Sequence, residues 1–278
     1  MAETNYAKPR SLDHALEVLS HGGVTVIAGG TDVYPALVGR DVPRQVLDIS
    51  AVTELGGVTT TSDGVRLGAG VTWAEVAAAN LPRGLRALQE AAVQVGAVQV
   101  QKAGTVAGNL CTASPAGDGI PVLLALDAQI ELRSVRGTRT VALEEFVTGY
   151  RATAKAADEL VTAIIVPADA AGRESSFVKL GTRAYLVISL VMVAVSIGRD
   201  VSGRVTAARV AVGACSPVAQ RLSRFEASVM SGSPRRVTTA DLVELTPIDD
   251  IRCSAAYRLD VVPEMVRRAL AECGVDLA

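Results

Sequence analysis

Aromatic residues are scarce in this 278-residue chain, at 3% of the total. With so few rings to stack on bases, single-stranded nucleic acid is not expected as a ligand. No run of Lys and Arg interrupts a near-balanced charge, formally -2, so no nucleic acid or anionic membrane surface is expected as a partner. There are only two histidines, His14 and His21. No Ser-His-Asp or Cys-His arrangement can be built on so few, and both are read as surface residues. The four cysteines, Cys111, Cys215, Cys253 and Cys273, form no Cys-x-x-Cys pair and lie far from both histidines. A local zinc or iron–sulfur site is therefore not expected, and the thiols are read as reduced packing residues. The longest apolar run, Tyr185 to Ile197, is too short to span a bilayer and reads as a buried strand. The start, Met1 to Tyr6, has no positive segment leading into an apolar one, so no secretion signal is expected and the chain is placed in the cytoplasm.

Apolar residues make up 49% and charged residues 20%. The core must therefore be built from Val, Leu, Ile and Ala, and the length allows one large domain or two modest ones. A helix is expected from Ser11 to Leu19, a short strand over Val24–Ala28, a second helix near Val33 to Val38 and a strand at Val46–Ile49, a compact βαβ-like unit. From Gly57 the pattern changes. Gly64–Gly70 reads as a strand, and Thr72-Trp73-Ala74-Glu75 is a capping box with Trp73 as a packing anchor. Helices are expected to Asn80, from Pro82 to about Val95 and over Gly117–Leu126. A hairpin turns at Ser134-Val135-Arg136-Gly137, and a strand covers Glu159–Val166. The small and polar stretch Asp169-Ala170-Ala171-Gly172-Arg173 marks a boundary between a unit over 1–170, divided near 56 and 57, and one over 171–278. Beyond it come strands near Ser175–Leu180, Leu186–Gly198 and Arg204–Gly213, then helices over Pro217–Met230, Thr239–Leu245 and Ser254–Cys273. Strands followed by helices predict a separate α+β layer.

Two glycine-rich segments carry the chemistry. Ala28-Gly29-Gly30-Thr31-Asp32 starts at the end of the strand expected over Val24–Ala28, whose apolar run includes Ile27. Gly104-Thr105-Val106-Ala107-Gly108-Asn109 opens a stretch of small residues that continues to Asp118. Glycine permits sharp bends and close approach, and successive backbone N–H groups make concave anion sites. Two such segments suggest a dinucleotide pyrophosphate held from both sides. The first lacks the G-x-G-x-x-G spacing of a Rossmann turn and is equally readable as a strand-to-helix turn. The second buries little area by itself, which makes sense if a ligand fills the volume. Asn109, Ser114 and Asp118 could orient polar parts of that ligand, and Lys179 and Arg183 could both face an anion.

Ala-Gly-Gly-Thr-Asp together with Gly-Thr-Val-Ala-Gly-Asn-Leu and Ser-Pro-Ala-Gly-Asp resembles the FAD-binding medium subunit of molybdenum hydroxylases. That family includes bacterial xanthine dehydrogenase and aerobic carbon monoxide dehydrogenase. The likeness extends through Phe177 to Arg183, and weakly through Ala256-Tyr257-Arg258 and Val266 to Leu270. It implies an α+β protein: a PCMH-type FAD domain of two α/β subdomains, then a C-terminal domain with a three-stranded antiparallel sheet and helices. It implies that Ile27 to Asp32 and Thr105, Val106, Ala107, Gly108 and Asn109 hold the FAD pyrophosphate. Asp118 would meet the ribose or adenine, Val161 would lie beside the cofactor, Lys179 would approach it, and Ile188 would face the flavin ring. Many members carry an Asp where this chain has Val187, which changes polarity beside that ring. The resemblance further implies a small [2Fe–2S] subunit and a large molybdopterin subunit, a dimer of heterotrimers, and transfer of electrons from the clusters through FAD to an external acceptor. The alternatives are a stand-alone FAD-dependent oxidoreductase and a nonenzymatic nucleotide-binding assembly protein.

Overall fold

The computed structural model describes residues 5–184, 186–232 and 234–277; Tyr185 and Met1 to Thr4, which figure in the sequence reading, lie outside them. Three larger sheets follow one another along the described residues, with a small two-stranded one, Val147–Gly149 with Ala152–Thr153, inserted in the chain before the last strand of the second. The first is parallel, with strand Gln45–Asp48 between Asn5–Ala7 and Thr25–Ile27. The three-residue strand at Asn5 was not anticipated. Helix Leu12–Ser20 covers this sheet, because Leu12, Ala15, Leu16 and Leu19 recur at helical spacing and are all buried. Ser11 caps it by accepting from the His14 amide.

The second sheet is antiparallel, in the order Val58–Thr61, Gly64–Gly68, Leu160–Pro167, Gln129–Ser134 and Gly137–Ala142. The expected hairpin is present, with Ser134 paired to Gly137. Helices Trp73–Ala78, Arg86–Ala92, Val106–Thr112 and Gly119–Ala125 share its apolar core, and Val98–Ala103 packs on the first of them. The capping box forms as read: Thr72 accepts from the Glu75 amide while the Glu75 carboxylate accepts from the Thr72 amide. Trp73 is fully buried, as expected of an anchor, and His14 and His21 are exposed.

The third sheet is antiparallel: Glu174–Leu180, Val191–Arg199 and Val205–Gly213, with the two-residue strand Gln220–Arg221 at its edge. Side chains of a strand alternate between faces. Val191, Val193, Val195 and Ile197 face helices Ser223–Met230 and Ala255–Glu272. Met192 and Ala194 face the N-terminal core. The central strand is thus buried on both faces, which explains its uninterrupted apolar character. Helix Gly119–Ala125 lies between the halves, with all of its residues buried.

Several elements differ from the sequence reading. The strand expected from Leu186 starts at Val191; Leu186 has left-handed backbone (φ +52°), which takes residues 186–189 out of the sheet. The boundary stretch forms a short helix, Ala168–Gly172, with Ala170 and Ala171 buried. The helix expected from Pro217 begins at Ser223, after the edge strand, and the one at Thr239 is a single tight turn, Thr239–Asp241. The second glycine segment opens a helix that the sequence reading did not include: Thr105 is its N-cap and Val106–Thr112 is helical.

The halves are joined by ions as well as apolar contact. Asp127 accepts from Arg173 at 2.8 Å and Arg209 at 2.8 Å, and lies 3.4 Å from Arg221. Arg173 also pairs with Asp169, and Arg221 with Glu226 at 2.5 Å.

Candidate functional site: a cleft between two glycine segments

The glycine segments, far apart in sequence, touch. A Cβ built on Gly29 would sit 1.7 Å from the Ala103 carbonyl oxygen, and one on Gly104 would sit 3.1 Å from the Thr31 hydroxyl. Only glycine allows this approach of backbone to backbone. Gly30 takes φ +67°, so the chain turns sharply there into helix Val33–Ala36.

The two segments form one side of a cleft of about 920 Å³. Ile27, Ala28, Gly29, Gly30, Thr31 and Asp32 line it, as do Thr105, Ala107, Gly108, Asn109 and Asp118. Val161, on the second sheet, and Ile188, on the segment that leaves the third, line it from other sides. Of the residues singled out in the sequence, Val106 and Lys179 stand apart. Val106 is buried in the core, its amide donating to the Val71 carbonyl at 3.0 Å. Lys179 reaches the cleft only through Asp118.

The amides of the two segments are not equivalent. Those of Gly29, Gly30, Thr31 and Asp32 donate to no acceptor among the described residues. In the second segment, Gly108 donates to the Thr105 hydroxyl at 2.9 Å and Asn109 to the Thr105 carbonyl at 3.1 Å. Its contribution of unengaged amides is confined to Thr105 and Ala107 among the described residues. A buried or half-buried N–H requires an acceptor, and a run of them collects an anion. The cleft therefore suits a ligand carrying a diphosphate on one part and an apolar ring on another, where Val161, Leu186, Val187 and Ile188 lie.

Other polar groups are engaged by the protein itself. The Asn109 side-chain oxygen accepts from the Gly119 amide at 3.2 Å, bracing the start of the buried helix. The Ser114 hydroxyl accepts from the Ala116 amide at 3.3 Å. Asp118 accepts from Lys179 Nζ at 2.9 Å and from the Ser189 hydroxyl at 2.9 Å, and both ionic side chains are buried. Burial pushes the Asp118 carboxyl up, against the opposing pull of Lys179 and Ser189. Lys179 and Arg183 do not converge: Arg183 is exposed and donates to the Leu186 carbonyl at 3.2 Å. Residues 186–189 are held instead by Ser189 on Asp118 and by the buried Arg258, which donates to the Leu190 carbonyl and to that of Ala214 at 2.7 Å. The tail motif containing Arg258 thus positions one wall of the cleft.

Arg151 and Lys155 also line the cleft and were not foreseen. Arg151 forks onto Asp32, with contacts of 3.1 and 3.2 Å. Nothing in the local sequence flags it, because its place depends on a turn closing across the fold. Cys215 and Cys273 are buried and their thiols are pushed up to about 11 by desolvation, which makes them packing residues. No group of three or more His, Cys, Asp and Glu that could hold a metal occurs among the described residues. No helix there is long and apolar enough to cross a membrane.

A two-part α+β fold with a cleft of this size suits a nucleotide-sized ligand, and comparison with known proteins makes the class specific. Residues 2–169 match the family described as the FAD binding domain in molybdopterin dehydrogenase. Residues 176–273 match the CO dehydrogenase flavoprotein C-terminal domain. The chain belongs to this family, the FAD subunits of molybdenum hydroxylase-type dehydrogenases. It is 32% identical to the nicotinate dehydrogenase FAD-subunit of Eubacterium barkeri, over 87% of this chain and 84% of that one. It is 32% identical to the nicotine 6-hydroxylase medium subunit of Paenarthrobacter nicotinovorans, over 97% and 96%. Its fold superimposes on a chain of carbon monoxide dehydrogenase from Hydrogenophaga pseudoflava with a TM-score of 0.88, at 27% identity and 99% coverage of both. The expected α+β architecture and the family resemblance are both borne out.

Proposed function

We propose that the cleft holds FAD and that this chain is the electron-transfer subunit of a cytoplasmic molybdenum hydroxylase complex. It takes electrons from [2Fe–2S] clusters in a small subunit and passes them to an external acceptor. A large molybdopterin subunit completes each heterotrimer, and two heterotrimers form the assembly. The chain itself divides near residue 170, with the first unit subdivided near residues 56 and 57.

The observation that carries the cofactor placement is the run of four unengaged amides, Gly29 to Asp32, on a cleft also lined by the apolar Val161, Leu186, Val187 and Ile188. Bound there, a flavin supplies the redox chemistry. The chain's own residues bind and orient. Gly29 to Asp32, with Thr105 and Ala107, would receive the diphosphate. Val161 and Ile188 would flank the ring and limit its contact with water. Asp118 and Lys179 hold each other and the Ser189 end of that wall, and thereby set its position.

Purification from the native source, with a visible spectrum and subunit bands, tests the reading. Flavin absorption together with iron–sulfur absorption and two co-purifying polypeptides supports it. Flavin with turnover by this chain alone would make it a stand-alone oxidoreductase. A colourless chain that takes up no added FAD would refute the cofactor placement.

A further inference from the structure

Four charged side chains line the cleft: Asp32, Asp118, Arg151 and Lys155. Asp118 is neutralised by Lys179. The Lys155 ammonium donates to the carbonyls of Ala156 at 3.2 Å and Glu159 at 3.1 Å. Asp32 is different. It ends the run of unengaged amides, where an incoming anion meets a like charge at close range; with the Asp32 side chain 43% exposed, water screens that repulsion without abolishing it. Its compensation is Arg151, which contacts both carboxylate oxygens.

The backbone at Arg151 is unusual in the same direction. It lies in the two-residue turn between Gly149 and Ala152, at φ +52°. That conformation favours Gly, Asn or Asp, and an arginine there is strained. Strain of this kind persists where the surroundings enforce it, commonly at functional sites. Here they do: the Arg151 amide donates at 3.0 Å to the carbonyl of Ala113, itself left-handed at φ +46° and closing helix Val106–Thr112. The helix that begins at the second glycine segment thus ends by placing Arg151 over the first. Two N–H groups point at Asp32, so the five-donor fork is not exhausted by the pair.

We infer that Arg151 is a further ligand-binding residue of this cleft: it cancels the charge of Asp32 and offers its remaining N–H groups to the diphosphate, making the amide run an anion site. The identity of the ligand as FAD rests on the proposed function; the charge pairing does not.

The test uses the full-length chain freed of bound flavin. It is titrated by fluorescence with FAD and with riboflavin, which has the ring but no phosphate, and by calorimetry with inorganic pyrophosphate. Arg151→Gln weakens FAD about ten- to a hundredfold, as expected for charge-assisted contacts, while riboflavin binding is unchanged. Arg151→Lys, which keeps the charge without the fork, recovers part of the loss and guards against a folding defect. Asp32→Asn combined with Arg151→Gln recovers most of it, since the repelling charge is gone. Unchanged FAD affinity in Arg151→Gln, an equal loss of riboflavin, or no recovery in the double variant would each overturn the inference. Failure of the wild type to bind FAD refutes the cofactor placement instead. In that event pyrophosphate decides: binding lost in Arg151→Gln upholds the inference, and any other result ends it.

Discussion

Gly29 and the carbonyl of Ala103 are in such close apposition that one added carbon would fall 1.7 Å from the oxygen. This contact makes a single site of two segments that are far apart in sequence.

Gly29→Ala is therefore expected to push the segments apart, with loss of bound flavin and a destabilisation of about 3 kcal/mol or more, because backbone and not a pliable side chain must move. Gly39→Ala is the control. Gly39 has φ +73° but open space around its Cα, so only conformational strain of about 1–2 kcal/mol applies. Urea unfolding midpoints and flavin content of the two variants check this; equal effects would remove the contact's special role.

Lys179→Met leaves the Asp118 carboxylate buried without its cation, a loss of about 3–5 kcal/mol for a broken buried pair. The loss should depend on pH. Burial already holds the Asp118 carboxyl above its ordinary value, and Lys179 restrains that rise. A raised folded-state value means that the group's contribution is complete below the unfolded value and declines as pH rises through the folded one. Without Lys179 that decline extends further toward neutrality. The stability gap between wild type and variant should thus be smaller at pH 5 than at pH 8, and a gap independent of pH contradicts the argument.

Glu159 behaves in the opposite sense. The hydrogen bond from Arg139, aided by the Ala156 amide, pulls its carboxyl from 4.5 down to about 2. Its contribution is present above the ordinary value and disappears as pH falls from about 4.5 to about 2. Glu159→Gln should flatten the acid limb of the stability profile and lower stability at pH 7. Denaturation midpoints between pH 7 and pH 2.5 check both.

Ile188 stands half exposed on the cleft wall. Ile188→Asp should change stability by no more than about 0.5 kcal/mol, as an exposed position allows. A carboxylate beside the proposed ring site should lower the reduction potential of bound flavin. An unaltered potential would remove Ile188 from the ring's surroundings.

Much of the fold was legible because it rests on local signals. Ser11, the Thr72–Glu75 box and the Val135-Arg136 turn act within a few residues of themselves. The glycine segments were legible as a pair because bare backbone at two places suggests a ligand held from both sides; that they also touch each other is visible only in the structure. What sequence reading missed depends on distant partners. Thr105 looks like part of a loop until its hydroxyl is seen to cap the next helix. Asp118 reads as a lone carboxylate until Lys179 and Ser189 are seen on it. Leu186 to Ser189 belongs to an apolar run that alone predicts strand, and leaves the sheet because Arg258 and Asp118 hold its far end elsewhere.

The guanidinium cluster on Asp127 bears on how the molecule can be dissected. Arg173, Arg209 and Arg221 all come from beyond residue 170, as does the cation of Asp118. A fragment cut between residues 169 and 176, where the two matched patterns meet, would strand both carboxylates. It would also strip one side from the wholly enclosed helix Gly119–Ala125. Such a truncation is expected to yield insoluble material, so recombinant work on the cofactor half alone is ill-advised.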